Sequence, residues 1–133
     1  MPRLVLDTHA VIWYLFADPR LSITARNLIE QIAFEGNQVA FSSITLAEIV
    51  YLGEKERIDR TTLTRLLSEV DSEYGLFVEI PFDKYVAQAM QQVERSQVPD
   101  LPDRIIAATA LFLRLPLISR DRKIQMSSVE TIW

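Results

Sequence analysis

The sequence predicts an α/β fold: a three-layer α/β/α sandwich around a mainly parallel sheet. Short apolar segments typical of strands alternate along the chain with longer segments of helical periodicity. Strands separated by helices need crossover connections, which favour parallel pairing with helices on both faces of the sheet. The chain has 133 residues, of which 49% are hydrophobic, and no repeat or linker. We therefore expect residues 1–133 to form one domain.

The first third of the chain predicts a strand, two helices and a second strand. The first strand ends in an acid, and the continuous hydrophobicity after it is typical of a buried helix. Asp18 and the proline after it mark a turn, Ser22 or Thr24 can cap the second helix, and Gly36 ends it. The predicted elements are strand 3–7, helix 9–16, helix 23–32 and strand 39–42.

The middle of the chain predicts two helices, a strand and another helix. Ser43 or Thr45 can open the first of these helices, and Asp59 can cap the more polar second one. Pro81 stops the strand, and Asp83 can cap the helix after it. The predicted elements are helix 46–55, helix 60–70, strand 76–80 and helix 84–96.

The last third predicts a connector, an apolar helix and two short strands. The polar connector 97–102 contains two prolines and leads into the helix. The strands are predicted at residues 116–119 and 129–133.

Composition limits the possible functions. The chain has no cysteine, so it forms neither a disulfide framework nor a thiolate metal site. Its net charge of −4 argues against nucleic-acid binding through overall charge, although basic residues gather near residue 121. The first residues do not resemble a signal peptide, and no apolar run is long enough for a membrane span. We expect a cytoplasmic protein without a membrane partner.

Two acids follow predicted strands, and two more lie near predicted helix starts. Ligands of open parallel sheets bind beyond the carboxyl ends of the strands, where Asp7 and Asp121 lie. Glu48 lies among apolar neighbours, and Asp103 follows a proline at a helix start. If the sheet is parallel, all four carboxylates share one edge. Such an oxygen-only cluster repels itself unless a hard cation such as Mg²⁺ or Mn²⁺ lies within it.

Each acid also has a structural interpretation. Asp7 can merely cap the helix after it, and Asp121 can be a turn residue. Asp100 can cap a helix whose first turn holds Asp103, since both positions favour negative charge. Glu48 can form an ordinary salt bridge with an arginine. Only the joint arrangement of the four favours a metal cleft.

Four blocks of the sequence resemble, in order and spacing, the signature blocks of PIN-domain ribonucleases, most closely the VapC-type toxins of toxin–antitoxin modules. They are "LVLDTHAVIWYL", "SSITLAEIVYL", "DLPDRIIAATAL" and "LISRDRKI". One block alone is a weak signal, because an acid after an apolar strand is common. Four blocks in register cover nearly the whole chain and make a specific signal.

The resemblance implies a metal-dependent endoribonuclease that hydrolyses RNA phosphodiester bonds with Mg²⁺ or Mn²⁺. Asp7, Glu48, Asp103 and Asp121 match the catalytic, metal-binding acids of the family. The ion can activate a water and neutralise charge on the phosphate, while Glu48 or Asp103 can accept the water's proton. The resemblance also implies a cognate antitoxin protein as partner and a homodimer.

Further residues are assigned around these acids. Thr8 and Ser119 match hydroxyl positions that support the site, and Asp100 flanks the third block. Four basic residues near the acids are candidates for binding the RNA backbone. They are Arg104, Arg120, Arg122 and Lys123.

The histidine and aromatic residues after Asp7 are given structural roles. His9 is the only histidine and is interpreted as a capping or core residue, because a PIN site does not need it. Trp13, Tyr14 and Phe16 could form a base-stacking platform, but an unbroken apolar helix favours core packing or a partner surface.

Three other functions fit less well. A haloacid-dehalogenase-type phosphatase needs a second aspartate two residues after the first, where this chain has His9. A response-regulator receiver needs paired acids at the first strand and a lysine after the fifth, and neither is found. A non-catalytic interaction module with the PIN fold would have lost the acids, whereas all four are present.

Overall fold

The computed structural model describes all 133 residues. It contains five strands and seven helices. In chain order they are β1 (Pro2–Leu6), α1 (Thr8–Leu15), α2 (Ile23–Phe34), β2 (Gln38–Ser42), α3 (Ile44–Glu54), α4 (Thr62–Asp71), β3 (Phe77–Ile80), α5 (Lys84–Met90), α6 (Leu101–Leu113), β4 (Leu117–Ile118), α7 (Arg122–Gln125) and β5 (Thr131–Ile132).

The five strands form one sheet in the order β3-β2-β1-β4-β5, and every pair is parallel. β1 lies at the centre, where Val5 pairs with Ala40 on one side and Leu117 on the other. Because all strands run the same way, their carboxyl ends meet at one edge of the sheet. The predicted parallel sheet is confirmed.

Alternate residues of the strands pack into two separate cores. Leu6 and Phe41 face a core that includes side chains of α1 to α4. Val5, Ala40 and Leu117 face a second core with side chains of α5, α6 and α7. The side-chain period of two along each strand divides the sheet in this way. The result is the predicted three-layer sandwich.

α1 packs into the chain's own core. Ala10, Val11, Ile12 and Trp13 are all buried. Of the two interpretations that the sequence favours for this helix, core packing is the one that these four residues show.

Some element boundaries differ from the prediction. α3 begins at Ile44, two residues earlier than predicted, and the hydroxyl of Ser42 accepts a hydrogen bond from the backbone N–H of Ile44 at 3.2 Å. α5 ends at Met90 rather than at residue 96, because only Val93 of the polar segment beyond it is buried in the core. The short helix α7 was not predicted.

None of the seven helices combines the length and the apolar character that a membrane span requires.

Candidate functional site

A cavity of about 380 Å³ opens at the carboxyl edge of the sheet, and all four predicted acids line it. Asp7 directly follows β1, and Asp121 follows β4 by three residues. Asp103 lies in the first turn of α6. Glu48 lies on α3, just beyond the first turn, because that helix begins earlier than predicted. Residues from four separate segments therefore share one cleft.

Asp7 both caps α1 and lines the cavity. Its Oδ1 accepts a hydrogen bond from the backbone N–H of Ala10 at 2.9 Å, so it is the N-cap of α1. Burial raises its pKa, while hydrogen bonds from Ala10 and from the Ser119 hydroxyl lower it, and the charge of Asp121 raises it. The capping interpretation of Asp7 is correct, but it does not exclude a role in the cavity.

Glu48 is held by threonines and not by an arginine. The Thr8 hydroxyl donates to Glu48 Oε1 at 2.6 Å, and the Thr8 and Thr45 hydroxyl oxygens lie 2.9 Å apart. Both threonines are buried. The only salt bridges of the chain lie elsewhere, so the arginine partner considered for Glu48 is wrong. Burial raises the pKa of Glu48, and the bond from Thr8 lowers it.

Asp100 and Asp103 divide two roles between them. Asp100 Oδ2 accepts a hydrogen bond from the backbone N–H of Asp103 at 3.1 Å and thereby caps α6. The Asp103 carboxyl accepts no hydrogen bond and faces the cavity. Desolvation raises its pKa to about 7, with further increases from the charges of Asp100, Asp121, Glu48 and Asp7. Capping explains Asp100, which is exposed and lies outside the cavity lining, but it does not explain Asp103.

Asp121 and Ser119 connect the end of β4 to α7. Asp121 Oδ1 accepts hydrogen bonds from the backbone N–H groups of Lys123 and Ile124 at 2.9 and 3.1 Å. The hydroxyl oxygen of Ser119, which is buried, accepts a hydrogen bond from the backbone N–H of Asp121 at 3.1 Å. The Ser119 hydroxyl also lowers the pKa of Asp7, so it acts on both acids that follow the neighbouring strands β1 and β4.

The donor set suits a hard divalent cation, although the side chains stand apart. All the candidate ligands are carboxylate oxygens, the type that Mg²⁺ and Mn²⁺ prefer. No three acidic or histidine side chains lie at the spacing of ligands around one ion. Carboxylates repel one another when charged, and a cation that removed this repulsion would let them approach. The cavity therefore fits such an ion in chemistry and needs side-chain movement to close around it.

The four predicted RNA-binding residues have different surroundings. Arg104 is turned into the fold, where one terminal nitrogen donates to the carbonyls of Met90 and Val93 at 3.0 and 3.1 Å. Its Nε is buried and has no partner. Arg104 is therefore unsuited to bind RNA, and the sequence prediction that it binds the RNA backbone is wrong. Arg120 lines the cavity and is exposed, and two further residues are exposed outside it: Arg122 and Lys123.

Five cavity residues were not predicted from the sequence to belong to the site: His9, Trp13, Arg20, Ile106 and Trp133. His9 is exposed and is neither the cap of α1 nor a core residue, which corrects its interpretation. Its spacing of four residues from Trp13 could have placed both on one face of α1 beside Asp7. Arg20 and Trp133 gave no such signal, because they reach the cavity only through the folding of distant segments.

The fold and cavity together define an α/β sandwich with an acidic cleft at the carboxyl edge of a parallel sheet. Residues 4–129 match the sequence profile of the PIN domain. The chain belongs to the PIN domain family, as its four sequence blocks predicted.

Similar proteins span almost the whole chain. Ribonuclease VapC22 of Mycobacterium tuberculosis (strain ATCC 25618 / H37Rv) is 28% identical over 125 residues, which cover 94% of this chain and 92% of the relative. A toxin–antitoxin complex from Klebsiella pneumoniae contains a similar chain, with TM-score 0.64, 26% identity and coverage of 98% and 96%. VapBC2 from Rickettsia felis, bound to a promoter DNA fragment, shares the fold with TM-score 0.72, 20% identity and coverage of 97% and 96%.

Proposed function

We propose that this protein is a metal-dependent endoribonuclease and the toxin of a toxin–antitoxin module, with residues 1–133 forming a single domain. The observation that carries the proposal is the meeting of Asp7, Glu48, Asp103 and Asp121 around one cavity of a PIN domain. The name of the ribonuclease relative and its coverage of the chain support the reaction class. The cytoplasm is the proposed site of action.

The four acids are the groups that would hold Mg²⁺ or Mn²⁺. When bound, such an ion supplies a lowered pKa for a water and neutralises charge on the phosphate. A carboxylate cluster of this kind is otherwise unfavourable, because desolvation and, to a smaller extent, the neighbouring negative charges raise the pKa of Asp103. The unmet charge of the cleft thus favours a cation as its complement.

The chain's own residues orient the acids and move a proton. The Thr8 hydroxyl donates a hydrogen bond to one oxygen of Glu48, and the Ser119 hydroxyl accepts one from the backbone N–H of Asp121. Asp103, whose carboxyl accepts no hydrogen bond and faces the cavity, is suited to accept a proton from an attacking water. The cavity opens at the sheet edge, so an RNA strand can reach these groups.

A protein partner is supported by the toxin–antitoxin complex from Klebsiella pneumoniae, which contains a chain similar to this one. An antitoxin segment with an arginine would pair with the carboxylates of the cleft. Such a segment competes with the metal, so excess Mg²⁺ should weaken its affinity in a peptide titration. Unchanged affinity would place the segment elsewhere.

The protein should also form a homodimer. Tyr85 on α5 and Phe112 on α6 are 51% and 44% exposed, and their rings stack with centroids 6.3 Å apart. This exposed aromatic pair suits an interface between two copies. Light scattering at micromolar concentration should give the dimer mass. A monomer mass independent of concentration would contradict this part of the proposal.

Cleavage of a labelled single-stranded RNA tests the activity. The wild type should cleave with Mg²⁺ or Mn²⁺ and stop when EDTA is added. Asp103→Asn should lower the rate at least ~100-fold, the order expected when a group that positions the nucleophile is lost. Glu94→Gln removes an exposed acid outside the cavity and is the matched control. Normal cleavage by Asp103→Asn would contradict the assignment.

A further inference from the structure

The cavity has a second side made of aromatic and cationic residues. Both tryptophans of the chain, Trp13 and Trp133, line the same cavity as the four acids. The guanidinium carbon of Arg120 lies 4.5 Å from the Trp13 ring centroid, and that of Arg20 lies 5.2 Å from it. These distances are typical of cation–π contacts. Two guanidinium groups are thus held beside the acids by one indole ring.

Trp13 positions these two cations and is not itself a surface on which a nucleobase stacks. Its side chain is only 4% exposed, so a nucleobase cannot lie flat on it. The ring also contacts the core of α1 to α4, which fixes its position. A cation placed on a fixed ring loses less side-chain freedom when it binds an anion than a freely moving one does.

Arg120 and Arg20 differ in whether their guanidinium N–H groups already have a partner within the chain. Arg20 is paired with Asp18, with its terminal nitrogen 2.7 Å from Asp18 Oδ2, and this pairing lowers the pKa of Asp18 to about 2. Arg120 makes no salt bridge and no side-chain hydrogen bond, although four carboxyls line the same cavity. Its planar fork of N–H donors, which matches a phosphate group, is therefore free at the cavity rim.

Two further rings flank Trp13 at this side. The Trp133 centroid lies 6.0 Å from that of Trp13 with the planes at 63°, and the His9 centroid lies 5.5 Å away. Trp133 is partly exposed and His9 is exposed, so both offer surface to the cavity. Bases of single-stranded nucleic acids stack on such rings without strong sequence preference.

We propose that Arg120, Trp133 and His9, arranged around Trp13, form a subsite for the nucleotide next to the scissile phosphate. Arg120 binds the flanking phosphate, and the base stacks on Trp133 beside His9. Trp13 is a positioning residue that acts through Arg120. The inference rests on the proposed RNA substrate and extends it, because it names the residues that place the strand against the acids.

Binding without cleavage tests the subsite. The probe is a labelled single-stranded tetraribonucleotide in EDTA, with affinity measured by fluorescence anisotropy. Binding should also quench the tryptophan emission of the wild type, since both tryptophans line the cavity. Arg120→Gln should weaken binding about tenfold, the effect of losing one charged hydrogen-bonding group. Arg3→Gln makes the same charge change at the amino end of β1, away from the cleft, and should change binding less than about twofold.

A double-mutant cycle tests the positioning role of Trp13. Trp13→Phe keeps a ring in the core but weakens its attraction for a cation. It should weaken binding in the wild-type background and change it little in the Arg120→Gln background. Equal losses in both backgrounds would overturn the role of Trp13. Trp133→Leu should weaken binding, Trp133→Phe should restore most of it, and equal affinities for the two would overturn the stacking.

The outcomes separate this inference from the proposed function. If the wild type cleaves RNA while Arg120→Gln binds the probe as tightly as Arg3→Gln, the subsite is wrong and the nuclease assignment stands. If the wild type neither cleaves RNA nor binds the probe, both are overturned. Saturable quenching with selective loss in Arg120→Gln is the result we expect.

Discussion

Asp100 Oδ2 accepts a hydrogen bond from the backbone N–H of Asp103 at 3.1 Å, so two acids three residues apart have different tasks. The first caps α6 and is exposed to solvent, whereas the second leaves its carboxyl free in the cavity beside other acids. This division allows a capping effect and a charge-cluster effect to be measured separately in one helix turn.

Substitutions at these two positions should change stability in different ways. Asp100→Ala should lower the free energy of unfolding by about 1 kcal/mol, because α6 loses its cap, while Asp100→Asn should keep most of it. Asp103→Asn should melt no lower than the wild type in EDTA, since it removes one repelling charge. Thermal melts of the three variants give the comparison. A clear loss of stability in Asp103→Asn would mean that its charge is stabilising.

Stability in EDTA should fall as pH rises from about 4 to about 7. The pKa of Asp103 is raised from 3.8 to about 7 in the folded protein, so the folded state holds its proton more tightly than the unfolded state. This contribution is fully present below pH 3.8 and is lost as pH rises through about 7.

The pKa values of neighbouring acids are shifted in the same direction as that of Asp103. Part of the dependence of stability on pH should therefore remain when Asp103 is replaced. Burial raises the pKa of Asp7 and of Glu48, so Asp103→Asn should reduce the pH slope without abolishing it. Hydrogen bonds lower the pKa of Asp18 and that of Asp59. The stability that these two groups contribute is therefore lost only as the pH falls below about 3.8. Denaturant unfolding over a pH series measures the slope. A wild type that gains stability toward pH 7 would contradict the crowding of these acids.

Divalent cations should stabilise the wild type selectively. A ligand raises stability only through the state that binds it, so Mg²⁺ or Mn²⁺ should raise the wild-type melting temperature well above that of Asp103→Asn. Glu94→Gln lacks an exposed acid outside the cavity and should keep the full shift. Differential scanning fluorimetry over a metal titration measures these shifts in melting temperature. Equal shifts in all three proteins would place the bound ion elsewhere.

The Thr8 hydroxyl should be needed for stability as well as for the position of Glu48. Thr8→Val has nearly the same shape but removes the donor that lies 2.6 Å from Glu48 Oε1. We expect a loss of about 1 to 2 kcal/mol in the free energy of unfolding, because a partly buried carboxyl and the Thr45 hydroxyl both lose a partner. Thr8→Ser keeps the hydroxyl and serves as control. Equal stability of the two variants would show that the bond contributes nothing.

Arg104 should matter for folding and not for RNA affinity. Arg104→Ala removes the donor that joins the carbonyls of Met90 and Val93 to α6, so we expect a loss of about 2 kcal/mol. The exposed Arg95→Ala should change stability by less than about 0.5 kcal/mol. RNA affinity should keep its dependence on salt in Arg104→Ala, since no phosphate contact is lost. A reduced salt slope would restore Arg104 to the RNA-binding residues.

Local pattern alone determined the architecture and the acidic edge. Alternating apolar strands and helices require a covered parallel sheet, and strands that run the same way bring the residues after them, Asp7 and Asp121 included, to one edge. Capping residues such as Ser22 and Asp83 were also readable, because a cap acts within three residues of itself. These features depend on short-range geometry, which the order of residues specifies directly.

Only the tertiary structure decided which side chains meet across the cavity. The sequence could not show that Arg104 turns inward to two carbonyls, or that Arg120 and Arg20 lie over the ring of Trp13. Nor could it bring Trp133, the residue after β5, beside α1. Periodicity specifies which face of an element is buried, whereas contacts between distant elements depend on how those elements pack together. A long side chain such as arginine can reach several partners, and the packing selects among them.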